Sequence, residues 1–229
     1  MSTPEDAPRG RGRPPRISRQ LIVDTAAGMD ATTLTLQAVA DRLGVVRKAI
    51  TYHVTGRDEL LRLAADAQLA EELDASAVAR AVDWRAAVHA YATTLHDGLL
   101  RRHDLSLEVD TLPATGVLAS ADALLQQLTS AGFDDVEAGR ATGLITTVVW
   151  TVTREILAAQ QSGGRHPSAT ELGDILAGLP DDAYPDARRV TAAVDVSVPA
   201  QLDFAVDTVL AGLDARLTAR LAPTPLPSP

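Results

Sequence analysis

Apolar residues recur along this 229-residue chain at intervals of three and four, with few of the alternating runs a strand needs, and that spacing predicts an all-α protein. Over 84–102, Val88, Tyr91, Leu95 and Leu99 fall on one helical face. Pro113 interrupts the pattern, and 118–130 and 134–161 resume it with Gly132 and Phe133 as the turn between them. A last helix is predicted over 201–221, where Leu202, Ala205, Val206, Val209, Leu210, Leu213 and Leu217 make a face wider than a surface helix needs. The Gly-, Pro- and Asp-rich stretch 163–199 reads as loop with one or two short helices. Near the N-terminus, Ser18 is placed to cap a helix carrying Ile22, Val23 and Ala26 and ending near Met29. Arg57 opens a long helix to about Leu73, whose stripe Leu60, Leu61, Ala64 and Ala67 links the N-terminal helices to the larger C-terminal part of the chain.

Two short helices lie between those elements. Thr35 is a hydroxyl just ahead of an apolar-periodic segment and caps a helix over 36–43, with Val39, Ala40 and Leu43 on one face. Gly44 supplies the backbone freedom of a tight turn, and a second helix follows over 46–53. Its inner face is Ala49, Ile50 and His53; Arg47, Lys48, Thr51 and Tyr52 stay outside. A small Ala40, a turning Gly44 and an Ile50 that plugs one helix onto the other make a helix-turn-helix, which offers its second helix to the major groove. An ordinary αα-corner has the same spacing. The two cations on the outward face favour DNA.

Composition narrows the class. Hydrophobic residues are 46% of the chain and aromatics 3%, so a sizeable core must be built from Ala, Leu and Val. Cysteine is absent, which excludes disulfides, thiolate catalysis and Cys-ligated zinc and fits a reducing cytoplasm, the expected location. No signal peptide is read. The longest apolar run, 143–152, is broken by Thr and falls short of the roughly 20 residues of a spanning helix, so no membrane partner is expected.

The net charge of −9 is unevenly spread. Residues 1–62 hold ten basic against seven acidic side chains, and the remainder eleven against 23, so a basic head sits on an acidic body. Lys48 is the only lysine. Residues 1–16 carry too little apolar surface to fold alone, and the same holds for the Pro-rich tail 222–229. Within the first, Arg11-Gly12-Arg13-Pro14, with Arg16 beyond, looks like an AT-hook core able to lie in a minor groove; a solvated tail is the alternative.

The run 18–61, with Gln-Leu-Ile-Val-Asp-Thr-Ala, Thr-Leu-Gln-Ala-Val-Ala-Asp-Arg-Leu-Gly-Val and Ala-Ile-Thr-Tyr-His-Val-Thr-Gly-Arg-Asp-Glu-Leu-Leu, resembles the DNA-binding domain of the TetR family of one-component repressors. It departs from the family in being about four residues shorter between Ala26 and Leu34, roughly one helical turn, and in having Thr51 where the family has a phosphate-touching Tyr. The resemblance implies a homodimer on a palindromic double-stranded operator, with Thr35, Gln37, Val46, Arg47, Lys48, Thr51, Tyr52, His53 and Arg57 at the DNA. Arg57 would touch a phosphate, and neighbouring Tyr52 can take over the role of the missing Tyr. The expected organisation is a basic arm (1–16), a three-helix head (17–64), a larger helical ligand-binding and dimerisation domain (65–221) and a tail.

The body more faintly resembles the tetracycline-repressor branch, through Asp-Trp-Arg near 84, Arg-Arg-His-Asp near 103, Ala-Gly-Phe near 132, Arg-Glu near 155 and Phe-Ala-Val-Asp-Thr-Val-Leu-Ala-Gly-Leu from 204. That resemblance implies a four-helix dimer bundle from 134–161 and 201–221. It also implies a small organic effector, with Tyr91, Leu95, Thr111, Leu124, Thr142, Thr146, Trp150 and Glu155 lining its pocket. The branch places a magnesium-ligating His where this chain has Glu108 or Val109, so a metal–tetracycline complex is not expected. No metal or other cofactor is expected. His89, His96 and His103 recur every seven residues but stand about 10.5 Å apart along a helix, too far for one ion. No nucleophile elbow, phosphate loop or metal-spaced acidic cluster is present, and no enzyme is expected. The alternative is a helical DNA-architectural protein without an inducer.

Overall fold

Side-chain oxygens start several of the helices. Ser18 Oγ accepts the Leu21 amide at 3.2 Å, Thr35 Oγ1 that of Ala38 at 3.0 Å, Asp83 Oδ1 that of Ala86 at 2.8 Å and Asp134 Oδ1 that of Glu137 at 2.8 Å. The structure, a computed structural model, describes residues 17–102, 108–109, 111–112, 114–161, 167–193 and 198–221. The expected arm with Arg11, Arg13 and Arg16, and the tail 222–229, lie outside the described residues.

The fold is all-α, with eleven helices and no strand among the described residues. They are α1 (Arg19–Ala27), α2 (Leu36–Leu43), α3 (Arg47–Thr51), α4 (Arg57–Glu72), α5 (Ala75–Ala79), α6 (Trp84–Arg101), α7 (Ala114–Ser130), α8 (Asp135–Gln161), α9 (Pro167–Ala177), α10 (Pro185–Ala193) and α11 (Val198–Leu221). Three differ from the periodicity. Helix α3 is five residues rather than the eight of 46–53, because Val46 at its N-cap has no side-chain acceptor and Tyr52 and His53 form a turn. Helix α5 was not legible as a stripe; Asp74 caps it through the amides of Ser76 and Ala77. Helix α7 begins at Ala114, ahead of the expected Leu118, because the Asp66 carboxylate on α4 accepts the amides of Thr115 at 3.1 Å and Gly116 at 3.3 Å.

Two hydrophobic cores share one helix. Ile22, Ala26, Leu34, Val39, Ala40, Ile50 and Val54 gather the first three helices onto Leu60, Leu61 and Ala64 of α4. Gly44, at φ 65°, makes the left-handed turn between α2 and α3 that favours glycine. The larger core packs Val88, Tyr91, Leu95 and Leu99 of α6 with Leu124 and Leu128 of α7, Ile145 and Val149 of α8, Leu202, Val206 and Leu210 of α11, and Leu69 of α4. Trp150 packs against both. Helix α4 is thus continuous from one core to the other. At its second half α7 comes so close that a Cβ at Gly116 would stand 2.9 Å from both the Asp66 carbonyl oxygen and Leu69 Cβ. Asp66 also pairs with Arg62 at 3.4 Å.

Candidate functional site

On the head, Ile50 is fully buried and fixes the rotation of α3, which leaves Arg47, Lys48, Thr51 and Tyr52 facing solvent. Val46 is 72% and Tyr52 87% exposed, large apolar or amphipathic surfaces that a free head gains nothing by showing to water. The Tyr52 ring meets His53 edge-on, with centroids 5.2 Å apart. Thr51 Oγ1 donates to the Lys48 carbonyl at 3.0 Å, so its proton is spent inside the helix and only acceptor capacity remains. Gln37, exposed on α2, donates to Asp41 at 2.7 Å, and Thr35 spends a lone pair on the α2 cap. Arg57 turns its guanidinium onto protein: Nε donates to the Leu34 carbonyl and Nη2 to that of Ala31, each at 3.0 Å, and Nη2 meets Glu108 at 3.3 Å. Glu59 accepts from the amide and the hydroxyl of Thr55, each at 2.7 Å, and from Arg19 at 2.6 Å. Those bonds, the Thr55 amide first, hold its carboxyl below the usual range. The turn feeding α4 is therefore pinned from both sides.

In the body, the expected pocket residues fall in two groups. Tyr91, Leu95, Leu124 and Thr142 are buried and Thr146 half-buried. Thr146 Oγ1 donates to the Thr142 carbonyl at 2.7 Å and lies 2.7 Å from the Tyr91 hydroxyl. A threonine has one hydroxyl proton, so the phenol is the donor of that pair and keeps its lone pairs free. Burial raises the Tyr91 pKa, which keeps the phenol neutral. Thr142 Oγ1 is buried with no hydrogen-bond partner, as is Ser120 Oγ on α7. Two turns beyond Thr146 on α8, fully buried Thr153 bonds His96 Nδ1 at 2.8 Å. Burial holds that imidazole below its usual pKa against the opposing pull of Asp97 and Asp203. A ladder of neutral polar groups therefore runs up the α6–α8 seam inside an otherwise apolar core.

The other expected residues stand apart from that ladder. Trp150 is half-buried under the Arg154 guanidinium, 5.0 Å from its ring, while Arg154 also donates to the Val109 carbonyl. Glu155 is exposed. Thr111 is exposed and borders a cleft of about 420 Å³ between head and body, with Arg57, Asp58, Leu61, Arg62, Glu108 and Val109. Periodicity did not single out Asp66, Gly116, Ser120 or Thr153. For Asp66 the available signal was a carboxylate on the buried side of α4 between Ala65 and Leu69. Among the described residues no group of three His, Cys, Asp or Glu is placed to hold a metal ion. No helix among them is long and apolar enough to cross a membrane.

An exposed cationic helix on a head of three short helices, joined by one continuous helix to a larger helical body, defines a helix-turn-helix regulator. No family model matches the chain. It is 31% identical over 164 residues, 67% of its own length and 74% of the relative's, to the tetracycline repressor protein class A from transposon 1721 of Escherichia coli. The class C repressor of the same organism is 29% identical over 154 residues, 64% of this chain and 68% of that protein. Among solved structures, that of a possible TetR family transcriptional regulator from Streptomyces coelicolor covers 86% of this chain and 99% of its own, with a TM-score of 0.66 at 24% identity. The Streptomyces coelicolor TetR family protein ActR in complex with actinorhodin covers 88% and 98%, with a TM-score of 0.69 at 23% identity. The chain belongs to the TetR family of transcriptional regulators.

Proposed function

We propose that this protein is a homodimeric one-component repressor, acting in the cytoplasm, that grips a palindromic double-stranded operator with two copies of α3 and releases it when a small organic effector enters the body. The observation that carries the reading is the continuity of α4. The helix that anchors the DNA-facing head is the same one that α7 presses on at Gly116, so a shift of α7 has no compliant element in which to dissipate. An effector that binds better to the released arrangement than to the DNA-competent one shifts the balance by that difference in affinity.

Arg47 is the base reader, and Lys48 and Tyr52 position the head on phosphates, with Val46 free for an apolar base edge such as a thymine methyl. Gln37 and Thr35 reach the backbone from α2, His53 supports Tyr52, and the arm with Arg11, Arg13 and Arg16 follows the adjoining minor groove. Arg57 serves the head–body junction through Ala31, Leu34 and Glu108, and a phosphate would have to compete for it.

The dimer forms through the outer faces of α8 and α11. Val136 and Leu144 on the first and Phe204, 68% exposed, on the second make an apolar surface. A Cβ at Gly139, Gly143 or Gly212 would meet nothing within 4 Å, so a second copy has room to approach closely. Such a dimer sets two recognition helices about one DNA turn apart. In solution this is tested by selecting bound sequences from a random duplex pool. The expected product is a palindrome with half-sites about 10 base pairs apart. On that palindrome Arg47→Ala relaxes the preference at one position by about 1–3 kcal/mol, while Lys48→Ala weakens all sequences alike and lowers the salt slope by about 1. Recovery of unsymmetrical sequences, or none, would favour a non-inducible architectural protein instead.

A further inference from the structure

Thr142 Oγ1 is the one group on the α6–α8 polar ladder that the fold leaves without a partner among the described residues, although the side chain is 93% removed from solvent, 7% remaining exposed. A buried hydroxyl without a bond is unfavourable, and a valine of the same shape would avoid the loss. One helical turn away the Tyr91 phenol has spent its proton on Thr146, whose own proton goes to the Thr142 carbonyl. The two positions are therefore chemically unlike. Tyr91 offers only lone pairs, and Thr142 offers a proton as well as lone pairs.

We infer that the effector is an uncharged molecule with an alcohol or phenol hydroxyl on an apolar body, and that this hydroxyl donates to the Tyr91 oxygen while accepting from Thr142 Oγ1. The inference rests on the effector-released reading of the protein and narrows it. A hydroxyl satisfies both positions at once. A carbonyl accepts from Thr142 and leaves the Tyr91 lone pairs unmet, and an ether does the same. Charge is excluded by what surrounds the ladder. The buried polar side chains are Asp66, Gln68, Ser120, Thr142 and Thr153. Of these only Asp66 carries an ionisable group, and it is committed to the α7 amides and Arg62. His96, half-buried on the ladder itself, is bonded to Thr153, and burial holds its imidazole below the usual pKa against Asp97 and Asp203, which disfavours its serving as a cation. Glu155, the carboxylate expected in the pocket, faces solvent. The nearby cation, Arg154, is engaged with the Trp150 ring and the Val109 carbonyl. A ligand ion would thus enter an apolar interior of Val88, Leu95, Leu124 and Ile145 without a counter-charge, which is strongly unfavourable.

The test uses the full chain and three probes of one size: 2-naphthol, 2-naphthoate and 2-methylnaphthalene, titrated by Trp fluorescence and by thermal shift. Ligand-free Thr142→Val is expected to melt about 2–4 °C higher than the wild type, because an unmet hydroxyl has been removed. A lower melting temperature would show the hydroxyl to be satisfied within the fold and would overturn the inference. 2-Naphthol is expected to bind at least tenfold more tightly than 2-naphthoate. Thr142→Val and, separately, Tyr91→Phe should each weaken 2-naphthol about fivefold, the ratio of about one neutral hydrogen bond, and leave 2-methylnaphthalene unchanged. Equal or tighter binding of 2-naphthoate overturns the uncharged class, and equal binding of 2-methylnaphthalene overturns the hydroxyl. Failure of all three probes to bind removes the interior as an effector site, and so overturns the reading on which the inference stands.

Discussion

His96 shows how one side chain registers the character of the interior. Its Nδ1 is tied to the hydroxyl of Thr153, and burial outweighs the carboxylates of Asp97 on its own helix and Asp203 on α11, so the folded pKa lies below the ordinary 6.5. As pH falls through about 6.5, the unfolded chain takes up a proton that folded His96 still refuses, and stability is lost until the folded pKa is passed. The urea midpoint should therefore drop between pH 7.5 and pH 5.5, and His96→Gln, which stays neutral and can still bond Thr153, should flatten that drop. An identical pH loss in His96→Gln would assign it to other groups. At this scale the sequence was legible where a residue lay on a stripe. Tyr91 and Leu95 are interior as their spacing implied, and Leu124 and Thr142 are buried where the resemblance put pocket residues. Glu155 lies next to Ile156 in sequence but well off the buried line of Ile145, Val149, Val152 and Ile156, and a helical count of 3.6 residues per turn already turns it outward. The hydrogen-bond pairing of Tyr91 with Thr146 had no such signal, because it depends on how α6 and α8 cross.

Among the elements, the crossing of α4 and α7 is the tightest constraint. Gly116→Ala would push a Cβ against the Asp66 carbonyl oxygen and Leu69 Cβ at 2.9 Å, both held by the α4 backbone. Overpacking of this kind costs about 1–3 kcal/mol, more than the roughly 1 kcal/mol that alanine gains over glycine in a helix. The variant should melt lower than the wild type, whereas Gly173→Ala on α9, where a Cβ meets nothing within 4 Å, should melt no lower. Differential scanning calorimetry on both decides the point, and a Gly116→Ala protein that melts like the wild type would mean that α7 slides freely on α4. This crossing also explains which helix boundaries the sequence hid. Caps made by Ser18 and Thr35 act within three residues and can be read locally. The bond that starts α7 four residues early comes from Asp66, 49 positions away from Thr115. The short α3 likewise reflects a missing cap at Val46 more than any property of its apolar face.

The whole molecule separates its tasks by charge and by surface. The ten basic and seven acidic residues of 1–62 give the head a positive excess, and the strongly acidic remainder is repelled by phosphate, so an approaching duplex meets the head in one orientation. The α8 and α11 faces carry Val136, Leu144 and Phe204 outward, on a body whose own core is already filled by Leu202, Val206, Leu210 and Leu213. The positive excess was visible in the uneven charge. The outward apolar face was not: the last stripe spends Leu202, Val206, Leu210 and Leu213 on the body's own core and Phe204 lies off it, because where α6 and α8 meet α11 decides which face turns inward. Sedimentation velocity of the full chain, alone and with a fluorescent duplex bearing the selected palindrome at about 0.1 M salt, decides whether paired heads read one site. A dimer without DNA and two chains per duplex with it are expected, both lost together when Leu144 and Phe204 are replaced by Glu. A monomer that ignores the duplex, or one chain per duplex with undiminished affinity in the double variant, would rule out paired recognition.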